Sequence, residues 1–298
     1  MTSSSPRGVI AAIATAVDRD GHIDAARSLA LARHLLAHGC DGLNVLGTTG
    51  EATSFSVAQR MALMSAYRDA AVPLSGSVVG TGAAALADAV ALTRHAAALG
   101  FGGALLLPPF YYKELTDDGL FAYVEHIVAA TAAAPIPIYL YHFPALSGIP
   151  WPLKLIARLI EAFPARVRGL KDSSGNLAYA QAAADLAADF DVFPANEATL
   201  IEARGGRFAG CISATANLNA DLCALAFHRG DPDALAQAVA IRGLLTGRPT
   251  VPGVKALLAH CHGDPAWAQM VPPLSALNPM ERAALAAEYD AVRAGRAA

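Results

Sequence analysis

The sequence predicts an α/β domain built as a (β/α)8 barrel, followed by a helical extension at the C-terminal end. Short apolar runs alternate with longer, Ala-rich amphipathic segments along the chain. Most of the runs are apolar at nearly every position, which is typical of parallel strands covered by helices. Eight strand-plus-helix units fit between residue 8 and about residue 230, and this number indicates a barrel. A doubly wound open sheet is the alternative, but it usually has fewer strands and a Gly-rich phosphate-binding fingerprint.

The predicted strands are short runs dominated by aliphatic residues, and each is followed by a polar or Gly-containing segment. Their apolar character on both faces requires burial on both sides, as in a barrel wall. We assign them to Val9–Val17, Gly42–Gly47, Leu74–Gly80, Gly103–Leu107, Ile136–Phe143, Val167–Lys171, Asp191–Ala195 and Gly210–Ala214.

Capping signals mark several of the helices between these strands. The segment Ile23–His38 stops before Gly39, a residue type that favours the C-terminal end of a helix. The segment Ala83–Leu99 stops before Gly100 in the same way. The segment Thr116–Ala134 begins with an acidic capping turn.

Three further helices are predicted beyond the last strand. We therefore divide the chain into a barrel at residues 1–230 and a C-terminal helical extension at residues 231–298, packed on the barrel. The Gly- and Pro-containing linkers between the helices suit this arrangement. The helices of the extension are assigned roughly to Pro232–Leu245, Val254–His262 and Pro279–Ala294.

Composition excludes several classes of function. The 298 residues carry a net charge of −3 and no basic run, which argues against nucleic acid or an anionic membrane as a partner. No apolar stretch reaches the ~20 residues of a membrane span. The Ser-rich start, Met1 to Arg7, lacks the apolar core of a secretory signal, and the four cysteines are widely spaced. We therefore expect a cytoplasmic protein with reduced thiols.

The candidate active site follows from the fold, because barrel enzymes carry it at the C-terminal ends of the strands. Six predicted strand ends contribute hydroxyls, tyrosines, one lysine and three acids, but no set of three metal ligands. They are Gly47-Thr48-Thr49-Gly50-Glu51, Pro108-Pro109-Phe110-Tyr111-Tyr112, Tyr139-Leu140-Tyr141-His142, Leu170-Lys171-Asp172-Ser173-Ser174, Asn196-Glu197 and Ser213-Ala214-Thr215.

Lys171 is the unusual member of this set, because a lysine is rarely placed in a barrel strand. Burial favours the neutral amine, which can attack a carbonyl carbon. The alternative is a strand-end lysine whose charge is paired with Asp172. Tyr141 lies one strand earlier and offers a hydroxyl that can move the protons of a carbinolamine, although buried tyrosines are common in cores. The predicted chemistry is an imine between Lys171 and a carbonyl substrate.

The segment from Gly47 to Glu51 suits a carboxylate, since a tight turn with two threonines presents N–H groups and hydroxyls. An ordinary Gly-rich turn is the alternative. Together with the other strand ends, this segment resembles the dihydrodipicolinate synthase and N-acetylneuraminate lyase superfamily of class I aldolases, over nearly the whole chain. The resemblance is carried by the five-residue turn and by Gly80-Thr81-Gly82-Ala83, Pro109-Phe110-Tyr111-Tyr112, Tyr141-His142-Phe143-Pro144, Gly169-Leu170-Lys171-Asp172-Ser173-Ser174-Gly175-Asn176 and the last strand through Asn217.

The resemblance implies roles for individual residues. Lys171 would form the imine with pyruvate, and Tyr141 would transfer protons and contact the substrate carboxylate. Thr48 and Thr49 would bind that carboxylate and link Tyr141 to the tyrosine pair. Tyr112 matches a tyrosine that some members contribute across a subunit interface. The resemblance further implies a homo-oligomer, a dimer or a tetramer, and no metal or organic cofactor.

Departures from the family pattern concern the second substrate. Lysine-pathway synthases carry an arginine where this chain has Leu146. In the sialic acid lyases, an Asp-Glu pair and a serine hold the sugar chain; here these positions are Asn196, Glu197 and Ala214. We include Gly47, Ser173 and Ser213 in the same predicted substrate site.

The predicted function is a pyruvate-dependent lyase that cleaves a 2-oxo acid, such as a 2-keto-3-deoxy sugar acid, to pyruvate and an aldehyde. The neutral Leu146 favours an uncharged aldehyde. The alternatives are a 2-keto-3-deoxy acid dehydratase, a 4-hydroxy-tetrahydrodipicolinate synthase and a non-catalytic 2-oxo acid binding protein. A metal-dependent aldolase is disfavoured, because no ligand set converges at the strand ends.

Overall fold

The computed structural model describes residues 5–295, so the first four residues of the Ser-rich start and residues 296–298 lie outside the description. The described chain contains eight parallel strands in a single sheet. They are β1 (Gly8–Ala12), β2 (Gly42–Val45), β3 (Val78–Gly80), β4 (Gly103–Leu106), β5 (Ile138–His142), β6 (Val167–Asp172), β7 (Asp191–Pro194) and β8 (Gly210–Ser213).

The sheet curls into a nearly closed barrel, which confirms the predicted fold class. Each of the first seven strands pairs with its neighbour in the chain, and β1 also pairs with β8. Between β7 and β8, the N–H of Ala209 donates to the carbonyl of Val192 at 3.0 Å. The register sets Tyr141 beside Lys171, and Ala12 beside Asn44.

Helices alternate with the strands and continue after the last one. The longer helices α1 to α4 each bury one face, as the apolar periodicity requires. The bounds are α1 (Ala25–Ala37), α2 (Val57–Asp69), α3 (Leu86–Leu99), α4 (Asp117–Ala130), α5 (Pro144–Ser147), α6 (Leu153–Ala162), α7 (Leu177–Ala184), α8 (Leu200–Arg204), α9 (Ala216–Ala224), α10 (Pro232–Gly243), α11 (Thr250–His262) and α12 (Pro279–Arg293).

Local signals explain most helix ends. The backbone of Gly100 ends α3 in the left-handed conformation with φ of 83°, and the Thr116 side chain caps the N-terminus of α4. Gly39, which was predicted to follow the end of the first helix, also has a positive φ, of 107°. The second tail helix begins earlier than expected, at Thr250, because Pro252 lies in the first turn, where its missing N–H costs nothing.

All strands except β6 are shorter than predicted, and β1 and β3 differ most from their predicted bounds. The segment Ile13–Val17 is buried but leaves the sheet, and Val17 instead forms an isolated antiparallel bridge with Ile23. Before β3, the N–H of Ser77 donates to the carbonyl of Leu74 at 2.9 Å, which makes a turn of the first part of the predicted strand. An apolar run therefore indicates that a segment is buried, but it does not separate a strand from a buried turn.

The C-terminal helices pack against the barrel side that carries α9. The hydroxyl of Tyr289 on α12 donates to the carbonyl of Leu218 at 2.9 Å. The division of the chain at residue 230 stays a prediction. Across residues 5–295, the helices are too short or too polar to traverse a lipid bilayer.

Candidate active site

A cavity of about 690 Å³ opens at the C-terminal ends of the strands. Loops after five strands form its wall. The linkers between the C-terminal helices and the start of α11 cover one side, through residues such as Pro249, Thr250 and Leu274. Of the predicted site residues, eight line this cavity: Thr48, Thr49, Tyr141, Leu146, Lys171, Ser173, Asn196 and Ala214. Gly47 lines a smaller adjoining cavity of about 180 Å³.

Lys171 is buried at the floor of the cavity, with 3% of its surface exposed. On β6 it lies in register with Tyr141 of β5 and Phe193 of β7. Its Nζ donates to Oδ1 of Asn44 at 3.2 Å and lies 4.5 Å from the centre of the Tyr141 ring. The amine therefore has aromatic surroundings and one polar side-chain partner within the described chain.

Asp172 does not neutralise Lys171. Its carboxylate accepts from the N–H of Ser174 at 3.0 Å, and no ion pair with Lys171 forms within residues 5–295. Burial raises the pKa of the Asp172 carboxyl above its usual value. The interpretation of Lys171 as a strand-end lysine paired with Asp172 is therefore wrong.

Tyr141 and Thr48 form a hydroxyl pair above the lysine. The Tyr141 hydroxyl lies 3.0 Å from Oγ1 of Thr48, and Tyr141 is 4% exposed. Thr49 is buried beside them and also lines the cavity. The backbone on either side of this turn is left-handed at Leu46 and Glu51, with φ of 53° and 52°, which costs free energy for residues with a Cβ. Strain of this kind is common at binding sites.

Tyr112 lies outside the cavity of its own chain. Tyr111 and Tyr112 are 74% and 70% exposed, and their rings meet edge to face at 5.3 Å. The expected link from Thr48 and Thr49 to this pair is not made within the described chain.

Glu197 and Ser213 do not line the cavity. Glu197 is fully buried behind the wall and accepts hydrogen bonds from Ser213 Oγ at 2.5 Å and from the Thr215 hydroxyl. Its second oxygen accepts from Nη1 of Arg242 at 3.2 Å. Arg242, on α10, lines the cavity, so at this place the cavity wall carries the cation and not the acid.

The remaining residues of the predicted substrate site differ in how they contribute to the cavity. The Asn196 side chain lines the cavity, but its Oδ1 accepts from the N–H of Ala198 at 3.1 Å and so caps a turn. Leu146 lines the mouth and is 63% exposed. Ser173 and Ala214 are half-buried in the wall.

Sequence reasoning missed three residues that contact the site. Asn44 contacts Lys171, and its polar side chain in an apolar strand was a visible signal. Arg242 left no signal, because it lies in an amphipathic helix far along the chain. Lys255 of α11 donates to Glu51 at 2.5 Å, and both side chains are fully buried. A lysine within the apolar segment Val254–Leu258 was the available signal for that pair.

His142 makes structural contacts with its neighbours. Its Nδ1 accepts from the N–H of Trp151 at 3.1 Å, and its ring stacks on Tyr179 at 4.2 Å. Burial lowers the pKa of His142 to about 4, so the ring is neutral at physiological pH.

Potential metal ligands converge elsewhere. In the part of the chain that the structure describes, one group of three occurs: the exposed Asp18, Asp20 and His22, none of which lines the cavity. His260, on α11, pairs with Asp290 at 2.9 Å.

Comparison with known proteins identifies the family of the chain. The profile of the Dihydrodipicolinate synthetase family matches residues 5–290. The chain belongs to this family. A DapA-like lyase of Chloroflexus aurantiacus, itself uncharacterized, is 35% identical over 98% of this chain and 99% of its own length. The protein is therefore a lyase, as its family members are.

Solved structures extend the comparison. The dihydrodipicolinate synthase of Agrobacterium tumefaciens is 31% identical, with a TM-score of 0.88 over 96% of this chain and 99% of that one. A variant of the 2-keto-3-deoxygluconate aldolase of Sulfolobus solfataricus is 21% identical, with a TM-score of 0.86 over 97% of each chain. The second likeness shows the shared fold alone.

Proposed function

We propose that this lyase cleaves a 2-oxo acid into pyruvate and an aldehyde through an imine on Lys171. The observation that supports it is the placement of Lys171 Nζ at the floor of a cavity, 4.5 Å from the Tyr141 ring, with the Tyr141 hydroxyl bonded to Thr48. A buried amine beside a proton-transfer hydroxyl is the arrangement that carbinolamine chemistry requires. No resident cofactor is needed for this reaction.

The steps balance as follows. Nζ attacks the substrate C2 carbonyl, and a proton moves from nitrogen to oxygen to give a carbinolamine. The hydroxyl leaves as water after taking a proton from Tyr141, which leaves a protonated imine. The hydroxyl at C4 then gives its proton to Tyr141, the C3–C4 bond breaks, and its electrons pass into the imine. An aldehyde leaves, and Tyr141 returns its proton to C3 of the enamine, which restores the protonated imine. Water then hydrolyses this imine to pyruvate and the free Lys171 amine, and the released proton returns to Tyr141.

Thr48 and Thr49 are the proposed carboxylate partners. Both line the cavity within the turn after β2, next to Tyr141. Hydroxyl and backbone donors in a tight turn suit a carboxylate, which would fix C2 above Nζ. Tyr112 from a second subunit would complete the proton path through Thr48.

The cavity has room for more than pyruvate, because about 690 Å³ is open above the lysine. Ser173 and Asn196 offer polar groups along its wall, and Leu146 and Ala214 offer apolar ones. This mixture suits the chain of a 2-keto-3-deoxy sugar acid. The aldehyde end would lie between the loops after β6 and β7 and the linkers of the C-terminal helices.

Trapping tests the proposal directly. Incubation with pyruvate and borohydride should reduce the imine and add a stable adduct to the peptide containing Lys171, detected by mass spectrometry. Lys171→Ala should give no adduct, while Lys154→Ala, at an exposed lysine of α6, should label like the parent protein. An unlabelled parent protein would overturn the imine, and a product screen would separate cleavage from dehydration, since a dehydratase releases no pyruvate.

Condensation with aspartate semialdehyde is the second candidate, and Arg242 favours it. Its guanidinium lines the cavity and can hold a carboxylate, although Leu146 occupies the position where the lysine-pathway synthases have arginine. Consumption of aspartate semialdehyde in the presence of pyruvate, lost in Arg242→Met, would support this reaction. The uncharged-aldehyde interpretation predicts no such consumption.

A further inference from the structure

Asn44 is the one side chain that hydrogen-bonds the proposed nucleophile within the described residues. It lies on β2, in register with Ala12 of β1 and Val78 of β3, and is fully buried. Its Oδ1 accepts from Lys171 Nζ at 3.2 Å across the barrel interior. Burying an amide costs free energy unless its polar groups are hydrogen-bonded, so an asparagine at this depth indicates a specific role.

Only one of the two polar groups of the Asn44 side chain is hydrogen-bonded within the described residues. The Nδ2 group of Asn44 is buried and has no hydrogen-bond partner among the described residues. The surroundings are apolar: Ala12 and Val78 flank it in the sheet, within an interior cluster that includes Ile10 and Leu105. An unpaired amide donor in such a place destabilises the fold. A leucine would fill the same space without that cost.

Room for this amide is built into the turn after β2. A Cβ at Gly47 would lie 2.7 Å from Asn44 Oδ1 and 3.4 Å from its Nδ2. Glycine at position 47 therefore lets the carboxamide approach the lysine, in addition to shaping the carboxylate-binding turn. Gly47 and Asn44 form one unit under the Thr48–Tyr141 pair.

We propose that Asn44 is a catalytic residue that accepts the N–H of the protonated imine on Lys171. The amine, the carbinolamine nitrogen and the protonated imine each carry at least one N–H, so Oδ1 keeps a partner through the whole cycle. The bond is strongest when the nitrogen is positively charged, because a charged donor strengthens a hydrogen bond. Asn44 thereby holds the imine protonated, which is the form that accepts the electrons of the breaking C–C bond.

The unpaired Nδ2 group of Asn44 has a role at the carbinolamine stage. The carbinolamine oxygen is attached to the carbon that Nζ bonds, so it comes within reach of the same carboxamide. A hydrogen bond from Nδ2 to this oxygen would give the amide its missing partner only while substrate is attached. The cost of the unpaired group in the free enzyme is then recovered in the intermediate, which is how binding energy favours a reaction step.

The inference rests on the proposed imine function, and paired variants test it. Asn44→Leu keeps the volume but removes the acceptor, and we expect pyruvate-dependent trapping of Lys171 by borohydride to slow by about 10-fold to 100-fold. Asn44→Asp keeps an acceptor oxygen and adds a negative charge. We expect it to retain trapping and to move the pH midpoint of the trapping rate upward.

A control separates this effect from the loss of any buried polar group. Ser77 is fully buried, and its Oγ accepts from the N–H of Leu43 at 3.1 Å, at the far end of β2 and β3 from the cavity. Ser77→Ala should lower stability but leave the trapping rate and its pH profile unchanged. The other charged groups that line the cavity, Glu51, Asp172, Glu202 and Arg242, are present in all of these variants.

The outcomes distinguish the two proposals. If the parent protein is trapped and Asn44→Leu is trapped equally fast with the same pH profile, the role of Asn44 is overturned and the imine stands. If the parent protein is not trapped, the imine fails, and acetic anhydride labelling of Lys171 then tests Asn44 without any substrate. An upward shift of the labelling midpoint in Asn44→Asp would support the Asn44–Lys171 contact, and an unchanged midpoint would overturn it.

Discussion

Two tyrosines on one strand show how position decides the role of a residue. Tyr139 and Tyr141 both lie on β5, two residues apart, and both point into the barrel. The Tyr139 hydroxyl lies 3.4 Å from Asp191, at the N-terminal end of β7, whereas the Tyr141 hydroxyl meets Thr48 in the cavity. The same chemical group is structural in one layer of the barrel and available to substrate in the next.

Replacing the upper tyrosine should impair turnover. We expect Tyr141→Phe to lower kcat/KM for cleavage by about 10²-fold to 10³-fold, because proton transfer by a positioned side chain contributes in that range. Tyr139→Phe is the matched control, and we expect its rate to stay close to that of the parent protein. Pyruvate release measures both; equal rates for the two variants would contradict the assignment of Tyr141.

His142 gives a prediction for stability against pH. Its pKa is lowered to about 4 by burial, whereas in the unfolded chain it is near 6.5. Between these values the unfolded state binds the proton and the folded state does not, so stability falls as the pH falls from about 6.5 toward about 4. From about pH 8 to about pH 5, this residue should account for a loss of about 2 kcal/mol.

Urea unfolding at the two pH values measures that loss. His142→Asn should reduce the difference between them, while His126→Asn, at an exposed histidine of α4, should leave it as in the parent protein. A pH dependence that is identical in His142→Asn and the parent protein would show that His142 does not contribute to it.

At the scale of elements, the C-terminal helices hold part of the active site. Lys255 of α11 pairs with Glu51 at 2.5 Å, and the N–H of Val271 donates to the other Glu51 oxygen at 3.1 Å. Glu51 directly follows the turn that carries Thr48 and Thr49. The position of that turn therefore depends on residues more than 200 positions away along the chain.

Breaking this pair should cost more than an ordinary surface change. Lys255→Met leaves the buried Glu51 carboxylate without its partner, and we expect a loss of about 3–5 kcal/mol in the free energy of unfolding. Lys154→Met, at an exposed lysine, should change it by less than about 0.5 kcal/mol. Because the neutral pair removes the unpaired charge, Glu51→Gln combined with Lys255→Met should recover part of the loss; no recovery would contradict this account.

The same pair shows what the sequence could and could not predict. Strands and helices leave periodic and capping signals, so the barrel and the strand ends with Lys171 and Tyr141 were predictable. The strand ends also pointed to Glu197, but not to its burial behind Arg242. Contacts such as Glu51 with Lys255 depend on how α11 packs on the barrel, and no local pattern encodes that packing. Sequence reasoning therefore located the floor of the cavity better than its walls.

At the scale of the whole molecule, one chain leaves an apolar aromatic surface open beside its own active site. Tyr111 and Tyr112 are largely exposed in the loop after β4, and Phe110 of the same loop lines the smaller cavity next to Thr48. Large exposed aromatic groups are characteristic of contact surfaces between proteins. The loop after β4 therefore carries the exposed tyrosine pair and, through Phe110, also reaches the cavity that Thr48 and Tyr141 line.

We propose that a second subunit covers Tyr111 and Tyr112, and such an assembly predicts that association and activity fail together. We expect sedimentation of the parent protein to show a dimer or tetramer, and Tyr112→Ser to sediment as a smaller species with kcat lowered by at least about tenfold, since one proton-transfer group is lost with the contact. Met280→Ser is the matched control, because Met280 is 79% exposed on α12, away from this loop, and its loss should change neither property. A fully active monomer would show that the site is complete in a single chain, and a Tyr112→Ser oligomer with reduced kcat would separate the chemical role of the hydroxyl from its role in assembly.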